Sequence, residues 1–251
     1  MGKINLKDKV VVIAGGGKNL GGLISREIAG RGADVMIHYN SESSRAESDK
    51  TAAAVRALGR KAELFQGDLT DVNNMKALFK MAKEKFGRID VAINTVGMVL
   101  KKPFVDTTEA EFDTMSDINS KAAYFFIQEA GKNLEDNGKI ISIVTSLLGA
   151  YTGFYSTYAG AKAPVEHYTR AASKEFGSRG ISVTAVAPGP MDTPFFYGQE
   201  TPDAVAYHKS ASALGGLTHI EDIAPLVLFL ATDGWWITGQ TILINGGYTT
   251  K

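Results

Sequence analysis

Short runs of apolar residues, many of them β-branched, alternate along the chain with longer segments of helical periodicity. The runs are VVVIA (10–14), VMIHY (35–39), AELF (62–65), VAIN (91–94), IISIV (140–144), SVTAV (182–186) and TILIN (241–245). Most of them lack an alternation of apolar and polar residues, so both of their faces need to be covered. This pattern predicts seven strands of a parallel sheet that is packed between helices.

The segments between these runs have the spacing of amphipathic helices. In DVNNMKALFKMAKEKFG, apolar residues recur at helical spacing and a glycine follows them: Met75, Leu78, Phe79, Ala82 and Gly87. The repeated alternation predicts an α/β protein, a single-domain Rossmann fold with a seven-stranded parallel sheet and helices on both faces. No linker, charge block or internal repeat divides the 251 residues, so we expect one domain over residues 1 to 251.

Composition excludes several classes of function. The chain has 27 basic and 27 acidic residues, which gives no overall attraction to nucleic acid or to an anionic membrane. It has no cysteine, and its four histidines show no metal-ligand spacing, so no metal site is expected. No apolar run is long enough to span a bilayer, and the N-terminus lacks the apolar region of a signal peptide. We expect a soluble, cytoplasmic protein without nucleic-acid or membrane partners.

The stretch AGGGKNLGG, residues 14 to 22, follows the first predicted strand directly and contains five glycines. A glycine turn between a strand and a helix leaves backbone amides free at the positive end of the helix dipole, where a dinucleotide pyrophosphate binds. A tight connection without any ligand is the alternative explanation. Motifs elsewhere in the chain have to decide between the two.

Several motifs in order make the chain similar to the short-chain dehydrogenase/reductase family over essentially its whole length. The family's T-G-x-x-x-G-x-G maps onto residues 14 to 21, with Ala14 in place of Thr and Asn19 in place of the middle Gly. Asn tolerates a positive φ better than other non-glycine residues, so the turn is expected to persist. Y-x-x-x-K follows at residues 158 to 162, and P-G-x-x-x-T at residues 188 to 193.

The resemblance implies NADPH/NADP+ as cofactor, with NADH less favoured. Lys18 falls where NADP-using members often carry a cation, and Tyr39 replaces the acid with which NAD-specific relatives end the second strand. Asp68 is equally explained as a helix N-cap. The implied cofactor residues are Gly15, Gly17, Lys18, Asn19, Leu20, Gly21, Tyr39, Asn40, Ser41, Asp68, Leu69, Asn94, Gly97, Tyr158, Lys162, Pro188, Gly189, Met191 and Thr193.

Tyr158 and Lys162 are the candidate catalytic pair, and residues four apart share one face of a helix. Hydride transfer to a carbonyl produces an alkoxide that needs a proton, and a tyrosine with a pKa of about 10 needs a nearby cation to act near neutrality. The resemblance also implies Ser146 as hydrogen-bond donor to the carbonyl oxygen and Asn119 in a water relay. Thr145 lies at the family's commonest separation from the tyrosine, but the context SLLG favours Ser146.

Aromatic residues indicate the substrate class. Tyr151, Phe154 and Tyr155 precede Tyr158, while Phe195, Phe196 and Tyr197 lie in a substrate lid expected at about residues 190 to 216. Aromatic walls favour a bulky apolar carbonyl compound over a sugar, whose hydroxyls they would leave unpaired. The interpretation is an NADPH-dependent oxidoreductase acting reversibly on a ketone or a secondary alcohol. The resemblance also implies that the protein assembles as a homotetramer or a homodimer.

Three other functions remain as alternatives. A 3-oxoacyl-thioester reductase, acting on acyl carrier protein or CoA substrates, requires basic residues at the mouth of the site, for which Lys101 and Lys102 are candidates. A non-catalytic NADP-sensing regulator has no need of a proton donor, and the pair of Tyr158 and Lys162 argues against it. A methyltransferase that binds S-adenosylmethionine also uses a glycine turn, but it does not call for that pair.

Overall fold

A computed structural model describes residues 5 to 250 of the chain. Its strands are β1 (Val10–Ala14), β2 (Asp34–Tyr39), β3 (Ala62–Gln66), β4 (Val91–Asn94), β5 (Lys139–Ile143), β6 (Ser182–Pro188) and β7 (Thr241–Ile244). Each strand contains most or all of the apolar run that predicted it. The predicted fold class is confirmed.

The strands form one parallel sheet in the order β3-β2-β1-β4-β5-β6-β7. The direction of the winding reverses between β1 and β4, and in such sheets ligands bind beyond the carboxyl ends of the strands at the point of reversal. Ala14 pairs with Asn94, and Asn94 pairs with Ser142, so β1, β4 and β5 run level there. The loops that follow these three strands therefore meet at one edge of the sheet.

The helices are α1 (Asn19–Gly30), α2 (Arg45–Ala57), α3 (Val72–Phe86), α4 (Glu109–Ser116), α5 (Ala122–Asn133), α6 (Ser156–Glu175), α7 (Pro194–Tyr197), α8 (Pro202–Ala211) and α9 (Ile220–Ala231). In α3 the N-cap Asp71 accepts from the amide of Asn73, and Gly87 ends the helix with a φ of 81°. The glycine thus ends this helix as predicted. Within residues 5 to 250, no helix combines the length and the apolar character that crossing a bilayer requires.

Both faces of the sheet are covered, which explains the continuous apolar runs. Along β1, Val11 and Ile13 pack into one hydrophobic cluster, while Val12 and Ala14 pack into another on the opposite face. The first cluster includes buried residues of α1, α2 and α9, and the second includes those of α3 and α5. Each fully buried aliphatic side chain contributes about 1.5 to 3 kcal/mol, so the sheet supports the loops at its carboxyl edge rigidly.

Candidate active site

The glycine turn after β1 is shaped by close contact within the protein. Gly15 has a φ of 74°, and Asn19 adopts the left-handed conformation with a φ of 48°. A Cβ on Gly21 would lie 2.1 Å from the carbonyl oxygen of Gly15, so only glycine lets α1 approach the turn this closely. The first amides of α1 have no carbonyl partner within their own helix and are available to an anion.

His38 holds this turn from behind. Its Nδ1 lies 3.0 Å from the Gly15 amide nitrogen, and its Nε2 lies 2.8 Å from the carbonyl oxygen of Gly67. Burial lowers the pKa of His38 to about 4, against the raising effects of the Gly67 carbonyl and Asp68. The neutral ring therefore accepts from Gly15 and donates to Gly67, and it joins the ends of β1, β2 and β3. These two contacts give His38 a structural role.

A groove runs along the carboxyl edge of the sheet from this turn. The predicted cofactor residues that line it are Gly15, Gly17, Lys18, Asn19, Leu20, Gly21, Tyr39, Asn40, Asp68, Leu69, Gly97, Tyr158, Lys162, Met191 and Thr193. Asp68 also accepts from the amide and hydroxyl of Thr70, while Asp71 caps α3. Asp68 is therefore not the N-cap of α3, and its carboxylate fixes only the turn that precedes the helix.

Four predicted cofactor residues do not line the groove. Ser41 shares a hydrogen bond with Ser43, and Asn94 accepts from the amide of Val96, which fixes the loop after β4. Pro188 and Gly189 line the adjoining cavity instead. The placement of Ser41 and Asn94 departs from the prediction because their side chains satisfy the backbone and hydroxyl groups of their own loops.

Lys18 lines the groove together with Tyr39, and a second cation, Arg45, contacts Tyr39. Lys18 lies there with its ammonium 3.6 Å from Glu47, and Arg45 donates to the Tyr39 hydroxyl at 3.2 Å and to Asp49 at 2.9 Å. The sequence prediction did not place Arg45. The helical pattern that begins at residue 45 could have indicated this position. A helix that starts six residues after a strand can place its first turn beside the end of that strand.

The opposite end of the groove fits a nicotinamide and its ribose. The hydroxyl oxygen of Thr193 is buried and has no hydrogen-bond partner among residues 5 to 250, so it is free for a carboxamide. A Cβ on Gly97 would lie 3.0 Å from the Lys162 ammonium and 3.2 Å from Asn119 Oδ1. The glycine therefore leaves room for these two polar groups, of which Lys162 lines the groove. The residues present fit a dinucleotide along the whole groove.

Tyr158 and Lys162 lie one turn apart near the start of α6. The ammonium of Lys162 donates to the carbonyl oxygens of Val96 and Ile143, both at 3.1 Å, and burial lowers its pKa to about 8. Burial raises the pKa of Tyr158 to about 12, and a hydrogen bond with Thr145 opposes this rise. At neutral pH the phenol is protonated and the amine is charged, so Tyr158 is a proton donor.

Thr145, and not Ser146, makes the contact with the catalytic tyrosine. The Thr145 side chain lies close enough to Tyr158 to oppose the rise in the pKa of the phenol, and its hydroxyl oxygen also accepts from the Leu147 amide at 3.2 Å. The Ser146 hydroxyl instead donates to the carbonyl oxygen of Ala187 at 2.8 Å, at the end of β6. These contacts favour Thr145, because the Ser146 hydroxyl is already bonded to a neighbouring strand. Both residues line the same cavity as Tyr158, so the choice of carbonyl-oxygen donor stays a prediction.

Asn119 lies in a π-helical turn, Asp117–Lys121, between α4 and α5. Its side chain is fully buried; Oδ1 accepts from the Met98 amide at 3.1 Å, and Nδ2 donates to the carbonyl oxygens of Met98 at 2.9 Å and Met115 at 3.1 Å. Such π turns are frequent at functional sites. Asn119 binds the loop after β4 beside Lys162, and its part in a water relay stays a prediction.

A cavity of about 70 Å³, partly open to solvent, adjoins the groove at Tyr158. Tyr155, Phe195 and Phe196 line it as expected. The other three aromatic residues do not: Tyr151 is fully exposed, Phe154 is 56% exposed, and Tyr197 donates to Asp192 at the surface. Tyr151 and Phe154 do not line the cavity because residues 151 to 154, in the loop before α6, are all exposed. A substrate contact of these two residues stays a prediction.

A buried ionic cluster fixes the lid segment beside this cavity. The side chain of Glu200 is 0% exposed; it pairs with the Lys101 ammonium at 2.5 Å and accepts from the Tyr155 hydroxyl. Gln199 accepts from the Lys101 amide at 3.0 Å. The lid is thus bound both to the loop after β4 and to the loop before α6. Sequence reasoning missed Glu200, since its partners lie far away along the chain.

Comparison with known proteins agrees with this site. A family model described as "Enoyl-(Acyl carrier protein) reductase" matches residues 15 to 249. The hydroxynaphthalene reductase-like protein Arp2 of Metarhizium brunneum is 32% identical, covering 98% of this chain and 97% of its own. A putative dehydrogenase from Burkholderia cenocepacia, solved with bound NADP, is 64% identical with a TM-score of 0.97 and covers 100% of this chain and 97% of its own.

A blue fluorescent protein from a metagenomic library, solved with NADPH, is 30% identical with a TM-score of 0.92, covering 98% of this chain and 100% of its own. The chain is therefore an oxidoreductase with a Rossmann-type fold. It belongs to the short-chain dehydrogenase/reductase family. The predicted family and the predicted enzyme class are confirmed.

The contacts of Thr145 and Ser146 give a first prediction. Thr145→Val should lower kcat/KM for ketone reduction by about 100-fold or more, since it removes a donor to the developing oxyanion. Thr145→Ser should retain most of the activity. Ser146→Ala should cost less than tenfold in rate and lower stability by about 1 to 3 kcal/mol, because the Ala187 carbonyl loses its donor. Steady-state kinetics and urea unfolding measure both effects; the opposite order of rates would return the role to Ser146.

The ionisation of Lys162 gives a second prediction. Since its pKa is lowered to about 8, the ammonium is present below that pH and is lost above it, while Tyr158 stays protonated. We expect kcat/KM for NADPH, measured at saturating ketone, to fall as the pH rises through about 8. Lys162→Arg should lower the rate but remove this fall, because the guanidinium keeps its charge. A wild-type profile that is flat up to about pH 10 would contradict the assignment.

Proposed function

We propose that the protein is an NADP(H)-dependent carbonyl reductase that reduces a bulky aromatic ketone and, in the reverse direction, oxidises the secondary alcohol. The observation that carries this proposal is the position of Tyr158, which lines both the cofactor groove and the adjoining cavity. A protonated phenol at that junction can reach a carbonyl oxygen whose carbon faces the nicotinamide.

The cofactor is NADP(H). Lys18 lines the groove with Tyr39, and Arg45 contacts the Tyr39 hydroxyl. A 2′-phosphate on the adenosine ribose can replace their exposed carboxylate partners, Glu47 and Asp49. Charge-assisted hydrogen bonds to a phosphate are stronger than those to neutral groups. The relative from Burkholderia cenocepacia was solved with bound NADP and shares 64% identity, which supports the same cofactor here.

The residues of the chain supply position and a proton, and bound NADPH supplies the hydride. Thr145 and Tyr158 donate to the carbonyl oxygen, and the Tyr158 proton passes to that oxygen as it gains negative charge. Lys162 places a cation one helical turn from the phenol and stabilises the phenolate that remains. Asn119 holds the loop after β4 next to Lys162. It is also the candidate residue through which a water relay returns a proton to the phenol.

The cavity walls support an aromatic substrate. Phe195 lies 6.3 Å from Tyr158 between ring centroids, and Tyr155 lies 6.5 Å from it on the same loop as Thr145. Flat apolar walls of this kind gain free energy by covering a planar hydrocarbon surface. The name of the relatives in Metarhizium, hydroxynaphthalene reductase-like, supports a fused aromatic ring system. The lid over about residues 190 to 216 would close on this ring.

A thioester reductase is less well supported. The basic residues considered for a carrier protein are neutralised, Lys101 by Glu200 and Lys102 by Glu111 at 2.8 Å. No free cation therefore remains at these two positions to attract an acidic carrier. A regulator without catalysis is disfavoured because the hydrogen bond between Thr145 and Tyr158 serves proton donation.

We also propose a homotetramer or homodimer that uses α4, α5 and α6. Phe112 and Tyr124 are 56% and 45% exposed on these helices, and they flank a shallow depression that contains Ser120 and Tyr168. Apolar side chains clustered on one surface are typical of a contact between subunits. Light scattering at micromolar concentration measures this; a mass near 26.8 kDa would exclude it.

The reaction itself is tested with a panel of ketones and NADPH, followed by absorbance of the reduced nicotinamide. We expect bulky aryl ketones to be reduced faster than polyhydroxy ketones of similar size. Tyr158→Phe should abolish turnover while NADPH binding, measured by fluorescence titration, is largely kept, since the change removes one hydroxyl only. Retention of most of the activity in this variant would exclude the phenol as proton donor.

Cofactor choice gives a further prediction. Lys18→Ala should lower the ratio of kcat/KM for NADPH to that for NADH by about 10- to 100-fold, because it removes a charge-assisted contact worth about 1.5 to 3 kcal/mol. Arg45→Ala should lower the ratio in the same direction. Lys50→Ala removes an exposed cation from α2 outside the groove and serves as control. Equal effects in the Lys50 and Lys18 variants would show a general charge effect.

A further inference from the structure

A second set of polar groups lines the substrate cavity, and the reduction mechanism uses none of them. His208 on α8 is 7% exposed, and its Nδ1 lies 3.0 Å from the Tyr248 hydroxyl. Its Nε2 lies 3.7 Å from Glu200 Oε1. His208 and Tyr248 both line the cavity that also contains Tyr158 and Thr145. A carboxylate, an imidazole and a phenol thus follow one another in space.

The order of these three groups favours one arrangement of their protons, since the Glu200 carboxylate lies 3.7 Å from Nε2 of His208. A carboxylate only accepts hydrogen bonds, so Glu200 favours the tautomer of His208 that carries its proton on Nε2. Nδ1 is then an acceptor, and the Tyr248 hydroxyl donates to it. The proton of Tyr248 is committed to His208, while the lone pairs of its oxygen remain available as an acceptor.

Both rings are neutral in this arrangement. Burial lowers the pKa of His208 and Lys101 lowers it further, against the raising effect of Glu200. Burial also raises the pKa of Tyr248, with Tyr207 and Glu200 adding to the rise. The ion pair of Lys101 and Glu200 has no net charge, so the cluster as a whole offers no uncompensated charge to a ligand.

The other polar side chains of the cavity that lie outside the catalytic pair and Thr145 already have partners: Ser146 donates to Ala187, Tyr155 donates to Glu200, and Gln199 accepts from the Lys101 amide. Apolar residues form much of its wall: Val99, Val144, Leu147, Met191, Phe195 and Phe196. Phe196 packs against His208 with 5.4 Å between ring centroids, which holds the imidazole in place. A polar substituent that meets an apolar wall loses its hydrogen bonds to water without replacement.

We propose that His208 and Tyr248 form a recognition site for a hydroxyl group of the substrate, a phenol or enol O–H distinct from the reacting carbonyl, which donates to the Tyr248 oxygen. The inference rests on the proposed function and narrows its substrate to hydroxylated aromatic ketones. A carboxylate is disfavoured because the cluster presents an acceptor and no free cation. A methyl ether fills the same space but has no proton to donate.

The test compares kcat/KM with NADPH for 1-tetralone, for its 5-, 6- and 7-hydroxy derivatives, and for the corresponding methyl ethers. We expect at least one hydroxytetralone to exceed both 1-tetralone and its own methyl ether by about tenfold. Tyr248→Phe should bring that ratio close to one. Tyr207→Phe changes a neighbouring phenol that is 65% exposed and outside the cavity, and it should preserve the ratio.

A second variant tests the direction of the hydrogen bond. His208→Phe keeps a ring against Phe196 but removes the Nδ1 acceptor, which frees the Tyr248 proton for donation. The matching methoxytetralone should then gain relative to 1-tetralone, an effect that a general loosening of the lid would not produce. No gain in this variant would overturn the assigned direction.

The outcomes separate this inference from the proposed function. Turnover of 1-tetralone without any preference for a hydroxyl, or a preference that survives Tyr248→Phe, overturns the recognition site alone. An equal preference for the methyl ether overturns it as well. If none of the tetralones is reduced while other ketones are, the aromatic substrate class and this inference are overturned together.

Discussion

The burial of the Lys162 ammonium is the constraint on which the site depends. A charge removed from water needs hydrogen-bond partners, and the carbonyl oxygens of Val96 and Ile143 supply them from the loop after β4 and the end of β5. These carbonyls converge only because the two strands run level and parallel. Gly97 leaves room for the ammonium beside Asn119, since a Cβ there would lie 3.0 Å from it. The same burial lowers the pKa of Lys162 and keeps Tyr158 protonated, so packing and chemistry follow from one arrangement.

In the cofactor groove, a neutral side chain holds the glycine turn after β1, and the charged side chains lie exposed at the edge of the groove. His38 is buried and uncharged, and it joins the glycine turn to the end of β3 without competing for an anion. Lys18 and Arg45 stay exposed, each with a carboxylate that a phosphate can displace. Because exposed ion pairs contribute little to stability, exchanging these partners for a phosphate costs the fold little.

The substrate cavity combines apolar walls with two separate polar groups of residues. Thr145 and Tyr158 are one group, and in the proposed reaction they donate to the reacting oxygen. Glu200, His208 and Tyr248 form the other group, and Glu200 also binds the lid to Lys101 and Tyr155. Since a buried carboxylate is tolerated only when its partners are in place, the packing of residues 190 to 216 and the proposed proton order at Tyr248 depend on the same contacts.

Local patterns were sufficient for the sheet, the glycine turn and the catalytic pair. Apolar runs that need cover on both faces specify parallel strands, and Asn19 can take the positive φ that its turn requires. Tyr158 and Lys162 share a helix face because they are four residues apart. Loop directions were not accessible in this way: Thr145 and not Ser146 faces the phenol, and Tyr151 and Phe154 turn to solvent. The contacts of Glu200 with Lys101 and of His208 with Tyr248 join residues 99 and 40 positions apart. No local periodicity encodes such pairs, because they form only when the lid, the loop after β4 and the C-terminal segment pack together.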